Sequence, residues 1–287
     1  MAEMNRKHLS KTAWASIIGK WVFLGIIIIF TLYPVVYTVL GSLKTNAELT
    51  QGGGFFPAAW HFENYYQAFV QADFTKYTIN SVIVSTSVTL LAAATCSMAG
   101  FILARKNFAG KKVLMALYLS MMFVSLGSVT LYPIYELLRA LKLNKTIFAL
   151  IIALTGGQAA NVFLVMGFTK GIPRELDEAA IIDGCSLYGV YSRIILPLSK
   201  PILAVVALFS FRNAWNDYIT SLIMTISMPK LQTLTVAVVQ LKYSVNAAAE
   251  WHIMLAGASI AIIPILIVYL FANKQFIAGL TAGAVKG

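Results

Sequence analysis

Residues 171–201 read GIPRELDEAAIIDGCSLYGVYSRIILPLSKP. The stretch holds Arg174, Glu175, Asp177, Glu178, Asp183, Arg193 and Lys200 in a chain otherwise poor in charge, and long apolar runs flank it. A charged island so placed sits in water at a membrane surface. Its pattern predicts a hairpin of two short helices joined by a glycine bend. Pro173 suits a first helical position, and Glu175, Asp177 and Glu178 fall in the first turn, where the helix dipole favours acids. Gly184 stands where a left-handed C-terminal turn needs it, and Ser186 can cap the second helix. That helix, 187–196, is expected to stop at Pro197, which has no amide proton to donate.

The rest of the chain supplies the membrane. Of 287 residues, 59% are hydrophobic and 11% charged, and the mean hydropathy is +0.77. A soluble domain carries about a quarter charged residues, so the fold class is an all-α polytopic membrane protein. The net charge of +11 would suggest nucleic acid in a soluble protein. Here basic residues gathered on cytoplasmic loops account for it, and no nucleic-acid partner is expected. Cys96 and Cys185 make no disulfide framework, and His8, His61 and His252 are scattered, so no metal site is expected. The amino terminus resembles a signal peptide, but its apolar run is too long and lacks a small-residue cleavage site. It reads as an uncleaved first span.

A helix needs roughly 20 apolar residues to cross the hydrocarbon core. Six segments qualify, 21–43, 80–103, 113–138, 146–168, 201–224 and 252–272. The organisation is therefore a cytoplasmic segment 1–20, a transmembrane unit 21–272 containing the hairpin 171–200, and a cytoplasmic tail 273–287. Orientation follows from the basic residues. With the amino terminus inside, the inner segments hold twice as many Lys and Arg as the outer ones, although Arg139, Lys142 and Lys145 run against the trend. Both termini and the hairpin are then cytoplasmic.

Two outer loops are long. The first, 44–79, follows three glycines with Phe55, Phe56, Trp60, Phe62, Tyr65, Tyr66, Phe69, Phe74 and Tyr77. These rings suit an interfacial belt or a docking surface for an extracytoplasmic protein, and the two can coexist. The other loop, 225–251, includes LQTLTVAVVQL, about half a span long. A re-entrant or interfacial element fits that length better than a seventh crossing.

Several constellations are missing. The chain has no Gly-x-x-x-x-Gly-Lys-Ser/Thr phosphate loop, no Gly-x-Ser-x-Gly nucleophile elbow and no His-Glu-x-x-His pair. An enzyme is not expected, and a partner or an ion gradient must supply energy.

Glu178-Ala179-Ala180, three residues, Gly184, nine residues, Ile194, one residue and Leu196-Pro197 reproduce an EAA-x3-G-x9-I-x-L-P signature. It resembles the cytoplasmic coupling loop of the permease subunits of bacterial ATP-binding-cassette importers. IPRELDEAAIIDG, LPLSKPILA, FRNAWNDY and FIAGLTAGAVKG look like the carbohydrate-uptake subfamily and, more narrowly, its MalG-type permease. The resemblance implies a type I importer permease with six transmembrane helices in the bacterial plasma membrane. Its implied partners are a second six-span permease, two cytoplasmic ATPase subunits and an extracytoplasmic solute-binding protein. No cofactor is bound by this chain, since ATP and Mg are used by the ATPases.

The resemblance assigns Glu178, Ala179, Ala180, Asp183 and Gly184 to a helix that docks in a cleft of the ATPase. Helical geometry puts Leu176, Ala179, Ala180 and Asp183 on one face, where small alanines permit close approach and Glu178 could meet a basic rim. In the fifth span, Arg212, Asn213, Asn216 and Asp217 are costly in hydrocarbon and generally face a bundle interior or a wet pathway. Asn213, Asn216 and Asp217 share a face by spacing. They form either a hydrogen-bonding passage for a polar solute or an interhelical clamp. Lys274 and Lys286 lie on a tail that either reaches the ATPases, as in MalG-type relatives, or frays. The alternative function is an ion-gradient-driven secondary transporter or channel, although only Arg212 and Asp217 offer an intramembrane pair and no duplicated broken-helix pattern exists.

Overall fold

The computed structural model describes residues 11–123, 127–243 and 249–284, and among them every regular element is helical. In chain order the helices are α1 (Lys11–Gly41), α2 (Asn46–Thr50), α3 (Glu63–Gln71), α4 (Phe74–Arg105), α5 (Lys111–Phe123), α6 (Leu131–Ala140), α7 (Ile147–Thr155) and α8 (Ala159–Gly171). The hairpin follows as α9 (Glu175–Ile182), α10 (Leu187–Val190), a π-helical turn Tyr191–Ile195 and α11 (Leu196–Leu198). The chain then runs through α12 (Lys200–Asn216), α13 (Ile219–Thr225), α14 (Leu234–Gln240) and α15 (Trp251–Ala284).

Three helices are long and apolar enough to cross a membrane unbroken, at Ile17–Gly41, Phe74–Arg105 and Trp251–Leu270. They coincide with the first, second and sixth expected spans. The other three expected spans are interrupted. A 3-10 turn, Gly127–Thr130, precedes α6 in the third. The fourth bends by 53° between α7 and α8, where Gly157 has φ +70° and the chain needs a residue without a Cβ. The fifth opens at Asp217, whose φ −67° and ψ 126° leave the helix.

α4 is the hub. Its most extensive neighbours are α12 and α8, and α12 in turn packs on α15. The buried face of α4 recurs every three or four residues through Ser81, Val84, Ser85, Val88, Ala92, Cys96, Gly100 and Ala104. Small residues let neighbouring backbones approach closely in a membrane helix. Gly100 is a tight point, since a Cβ there would lie 2.7 Å from Val165 Cγ1 of α8. Trp215, buried in α12, donates from Nε1 to the Ala261 carbonyl of α15 at 3.2 Å. α1 is different, because its apolar side chains are exposed along most of its length. A helix that is apolar all round is stable only against lipid or a partner.

The half-span piece is α14, which buries Leu234, Val236, Ala237 and Val238 inside the protein. Ser81 Oγ accepts from the Leu234 amide at 2.8 Å, and Asn80 Nδ2 donates to the Gln232 carbonyl at 2.9 Å. Its amino end is thus pinned to α4, and it forms no seventh crossing. α1 and α15 continue without a break through residues 20 and 273.

Candidate functional site

The hairpin forms largely as its local chemistry dictates, with corrections at Pro173, Pro197 and Ala180. Glu175, Asp177 and Glu178 occupy the first turn of α9, where four orphan amides favour negative charge. Gly184 has φ +84°. The Cys185 amide reaches back to Ala180 O at 2.9 Å and the Gly184 amide to Ile181 O at 3.0 Å. This paired closure is a Schellman turn, which needs the left-handed residue. Ser186 Oγ accepts from the Gly189 amide at 3.2 Å and caps α10. Pro173, however, lies before the N-cap residue Arg174 instead of at the first helical position. Nor does Pro197 end the second helix, which continues to Leu198. The preceding turn is π-helical, with the Leu196 amide bonding five residues back to Tyr191 O. That wider ring accommodates the proline without the clash that stops an ordinary α-helix. A 76° bend then turns the chain into α12.

The expectation that Ala179 and Ala180 present one open face is also corrected. Ala180 is 6% exposed and packs with Phe101, Ile172, Val190, Tyr191 and Ile195. Its small side chain lets α9 lie close to the chain's own core. Glu178, Ala179, Asp183 and Gly184 face outward, and beside them Ile182 is 85% exposed. Sequence reasoning passed over Ile182, although a β-branched apolar residue next to Asp183 in a charged helix is itself a contact signal. Glu178 also borders a cleft of about 150 Å³ with Arg105, Lys106, Arg174 and Asp177.

The side of the hairpin away from solvent is tied to α4. Arg105 Nε lies 2.6 Å from Asp177 Oδ2, and Arg105 Nη2 donates to the Ile172 carbonyl at 3.0 Å. Ser97 Oγ and Tyr191 Oη are 2.7 Å apart and buried. Phe101 packs on Tyr191 at a ring separation of 5.5 Å. None of these pairings is local in sequence, so no periodicity could have revealed them.

In the fifth span the four polar residues separate. Arg212 and Asn213 line a cavity of about 370 Å³ together with Gly157, Gln158, Asn161 and Phe209. Asn161, which the sequence reading did not single out, is buried there; its Nδ2 bonds Gln158 Oε1 at 2.5 Å and Ser210 Oγ at 3.4 Å. Asn216 is exposed at the last position of α12. Asp217 has left the helix, so the expected shared face is lost, and its Oδ1 accepts from the Ser221 amide at 2.7 Å to cap α13. A second cavity of about 360 Å³, lined by Thr95, Cys96, Tyr118 and Thr155, adjoins the same Gly157–Gln158 break. Lys274 lies on the α15 backbone, and Lys286 lies outside the described residues. Among the described residues no group of three His, Cys, Asp or Glu could hold a metal ion.

The aromatic loop splits in two. Phe74 is buried with Ala68 and Trp215, and Tyr65 and Tyr77 pack partly against that cluster. Phe55, Phe56, Trp60, Phe62, Tyr66 and Phe69 stay exposed. The loop is held by Asn64 Nδ2, which donates to Ser42 O at 2.8 Å and to Lys44 O at 2.9 Å. Glu48 completes a capping box with Thr45. The Thr45 amide, then that of Ala58, holds the Glu48 carboxyl below its usual range.

This arrangement of a hairpin tied under a broken-helix bundle has known counterparts. Residues 97–280 match the family described as binding-protein-dependent transport system inner membrane component. The arabinooligosaccharides transport system permease protein AraQ of Halalkalibacterium halodurans is 32% identical, over 99% of this chain and 100% of that one. The maltodextrin transport system permease protein MdxG of Bacillus subtilis is 30% identical, over 94% and 96%. A chain from a bacterial ABC transporter involved in alginate import superposes with a TM-score of 0.77 at 22% identity, covering 93% of this chain and 98% of that one. This last likeness shows the fold. The chain belongs to the family of binding-protein-dependent transport system inner membrane components, and is an integral permease subunit of the cell membrane.

Proposed function

We propose that the chain is one of two six-span permease subunits of an ATP-driven importer of carbohydrate. It forms half of the translocation pathway beside a second, similar permease. Two cytoplasmic ATP-binding-cassette ATPases use ATP and Mg, and an extracytoplasmic solute-binding protein delivers the sugar. This chain binds no nucleotide and catalyses no reaction. The substrate class is supported by relatives named for arabinooligosaccharide and maltodextrin transport. The twofold excess of Lys and Arg on one set of loops supports cytoplasmic termini.

One observation carries the coupling role. Glu178, Ala179, Ile182 and Asp183 face outward on a helix whose opposite side is packed into the chain's own core. Such a helix is free to enter a groove of the ATPase while remaining part of the permease. ATP binding draws the two ATPases together and carries the hairpins with them, which opens the pathway outward; hydrolysis resets it. Lys274 and Lys286 add a tail contact to the ATPases. Arg212 and Asn213, with Asn161 across the cavity, offer hydrogen-bonding groups to sugar hydroxyls, with Asn216 further along α12. Asp217 contributes through its cap on α13.

The test is Glu178→Lys and Ala179→Trp in the assembled transporter, both at exposed positions of α9. Each should reduce co-purifying ATPase, or uptake of labelled arabino- and malto-oligosaccharides, at least tenfold while the permease still accumulates. Unchanged co-purification and uptake in both variants would overturn the docking role.

A further inference from the structure

We infer that Arg105 is a positioning residue for energy coupling, whose ion pair with Asp177 latches the hairpin to α4 so that hairpin movement is delivered directly to the hub of the bundle. The inference rests on the hairpin being the ATPase contact, and adds the route by which its motion reaches the pathway.

Three points fasten the hairpin to one side of α4. Arg105 binds Asp177 at 2.6 Å and the Ile172 carbonyl at 3.0 Å. Phe101, four residues earlier, packs on Tyr191. Ser97, four earlier again, meets the Tyr191 hydroxyl at 2.7 Å. Residues four apart on a helix lie above one another on the same face. The three contacts therefore form a column spanning roughly 12 Å of α4. Neither sliding nor rotation of the hairpin against α4 is possible without breaking the column.

Arg105 is its decisive member because it grips two sites, the first turn of α9 and the corner leading into it. The side chains of Arg105 and Asp177 are only 5% and 14% exposed. Withdrawing such a pair from water costs about as much as its attraction returns, so it is a weak device for stability and a better one for specifying a single arrangement. The rigid guanidinium fork suits that use.

The covalent route is less direct. The hairpin joins α8 through the corner at Ile172 and α12 through the 76° bend after Leu198. α4 packs on α12, α8 and α7. Its residues Thr95, Cys96 and Ala99 line one of the cavities at the fourth-span break. A shift of α4 thus reaches the cavity walls.

The experiment uses the whole transporter in sealed vesicles, with ATP and Mg as the only added ligands. Asn213→Cys, in a Cys96→Ser, Cys185→Ser background, reports opening through labelling by a membrane-impermeant maleimide. Arg105→Ala and Asp177→Asn should retain co-purifying ATPase and ATP hydrolysis within about twofold, yet lose at least fivefold of the ATP-driven change in labelling. The charge exchange Arg105→Asp with Asp177→Arg should recover at least half of that change. An unaltered labelling change in both single variants would overturn the latch and leave the docking role intact. Loss of the ATPase from both, unrelieved by the exchange, would also overturn it, making the pair an assembly contact. Should these variants not accumulate, Arg105→Lys is read by the same criteria, because it keeps the charge and loses the fork.

Discussion

The Tyr191 hydroxyl donates to Ser97 Oγ across 2.7 Å inside the joint between the hairpin and α4. The direction follows from Ser97, whose own proton is committed to the Ala94 carbonyl at 2.9 Å. Tyr191→Phe removes the donor and leaves Ser97 satisfied, so it should cost about 1 kcal/mol. Ser97→Ala strands a buried phenol hydroxyl and should cost more, about 1–3 kcal/mol. Thermal unfolding of the purified permease checks the order of the two variants.

Gly100 marks a close approach of α4 and α8. A Cβ there would lie 2.7 Å from Val165 Cγ1, 2.8 Å from Val165 Cβ and 3.0 Å from the Met166 amide nitrogen. Gly100→Ala should therefore destabilise by about 1–3 kcal/mol through overpacking. Val165→Ala removes only the nearest of the three atoms. The double variant should regain part of the thermal stability and not all of it.

Asp217 separates charge from capping. Asp217→Ala removes the acceptor of the Ser221 amide and should cost about 1 kcal/mol, with partial loss of transport as α13 loosens. Asp217→Asn keeps an acceptor without the charge and should behave nearly as the parent. Equal loss of uptake in both variants would make the negative charge the operative feature.

The outer loop should respond to acid. Backbone amides of Thr45 and Ala58 bind the Glu48 carboxylate at 2.8 Å each and hold its pKa below the ordinary value of 4.5. A carboxyl lowered in the folded state contributes stability that is full above its unfolded pKa and is lost as pH falls through the folded value. Loop order should thus hold above about pH 4.5 and decline below it, as read by fluorescence of the exposed Trp60. In Glu48→Gln this acid step should vanish.

Much of the hairpin was legible because its determinants are local. Acids in a first turn, a serine cap and a glycine at a left-handed position each depend on a few adjacent residues, and each forms as its residues dictate. The departures from local expectation share one cause, packing between residues far apart in sequence. Pro197 reads as a stop along the sequence, whereas the π turn that absorbs it lies over Tyr191 and Ile195, which are buried against distant residues. Asp217 falls on a helical face by spacing, which assumes an unbroken helix, and the break at that point is a property of the packed bundle. Ala180 reads as open to a partner by helical spacing, and it is the chain's own Val190 and Phe101 cluster that takes it.

The sequence by itself determined that this is an all-helical membrane permease with an acidic surface hairpin, because apolar run length, charge placement and the signature spacing are one-dimensional quantities. Only the tertiary structure decided which face of that hairpin is free and which is spent on α4. It joined Arg105 to Asp177 and Ser97 to Tyr191, and set Arg212 and Asn213 against the break in the fourth span. Those relationships link residues far apart along the chain, and they exist only once helix packing has chosen which small residues let two backbones meet.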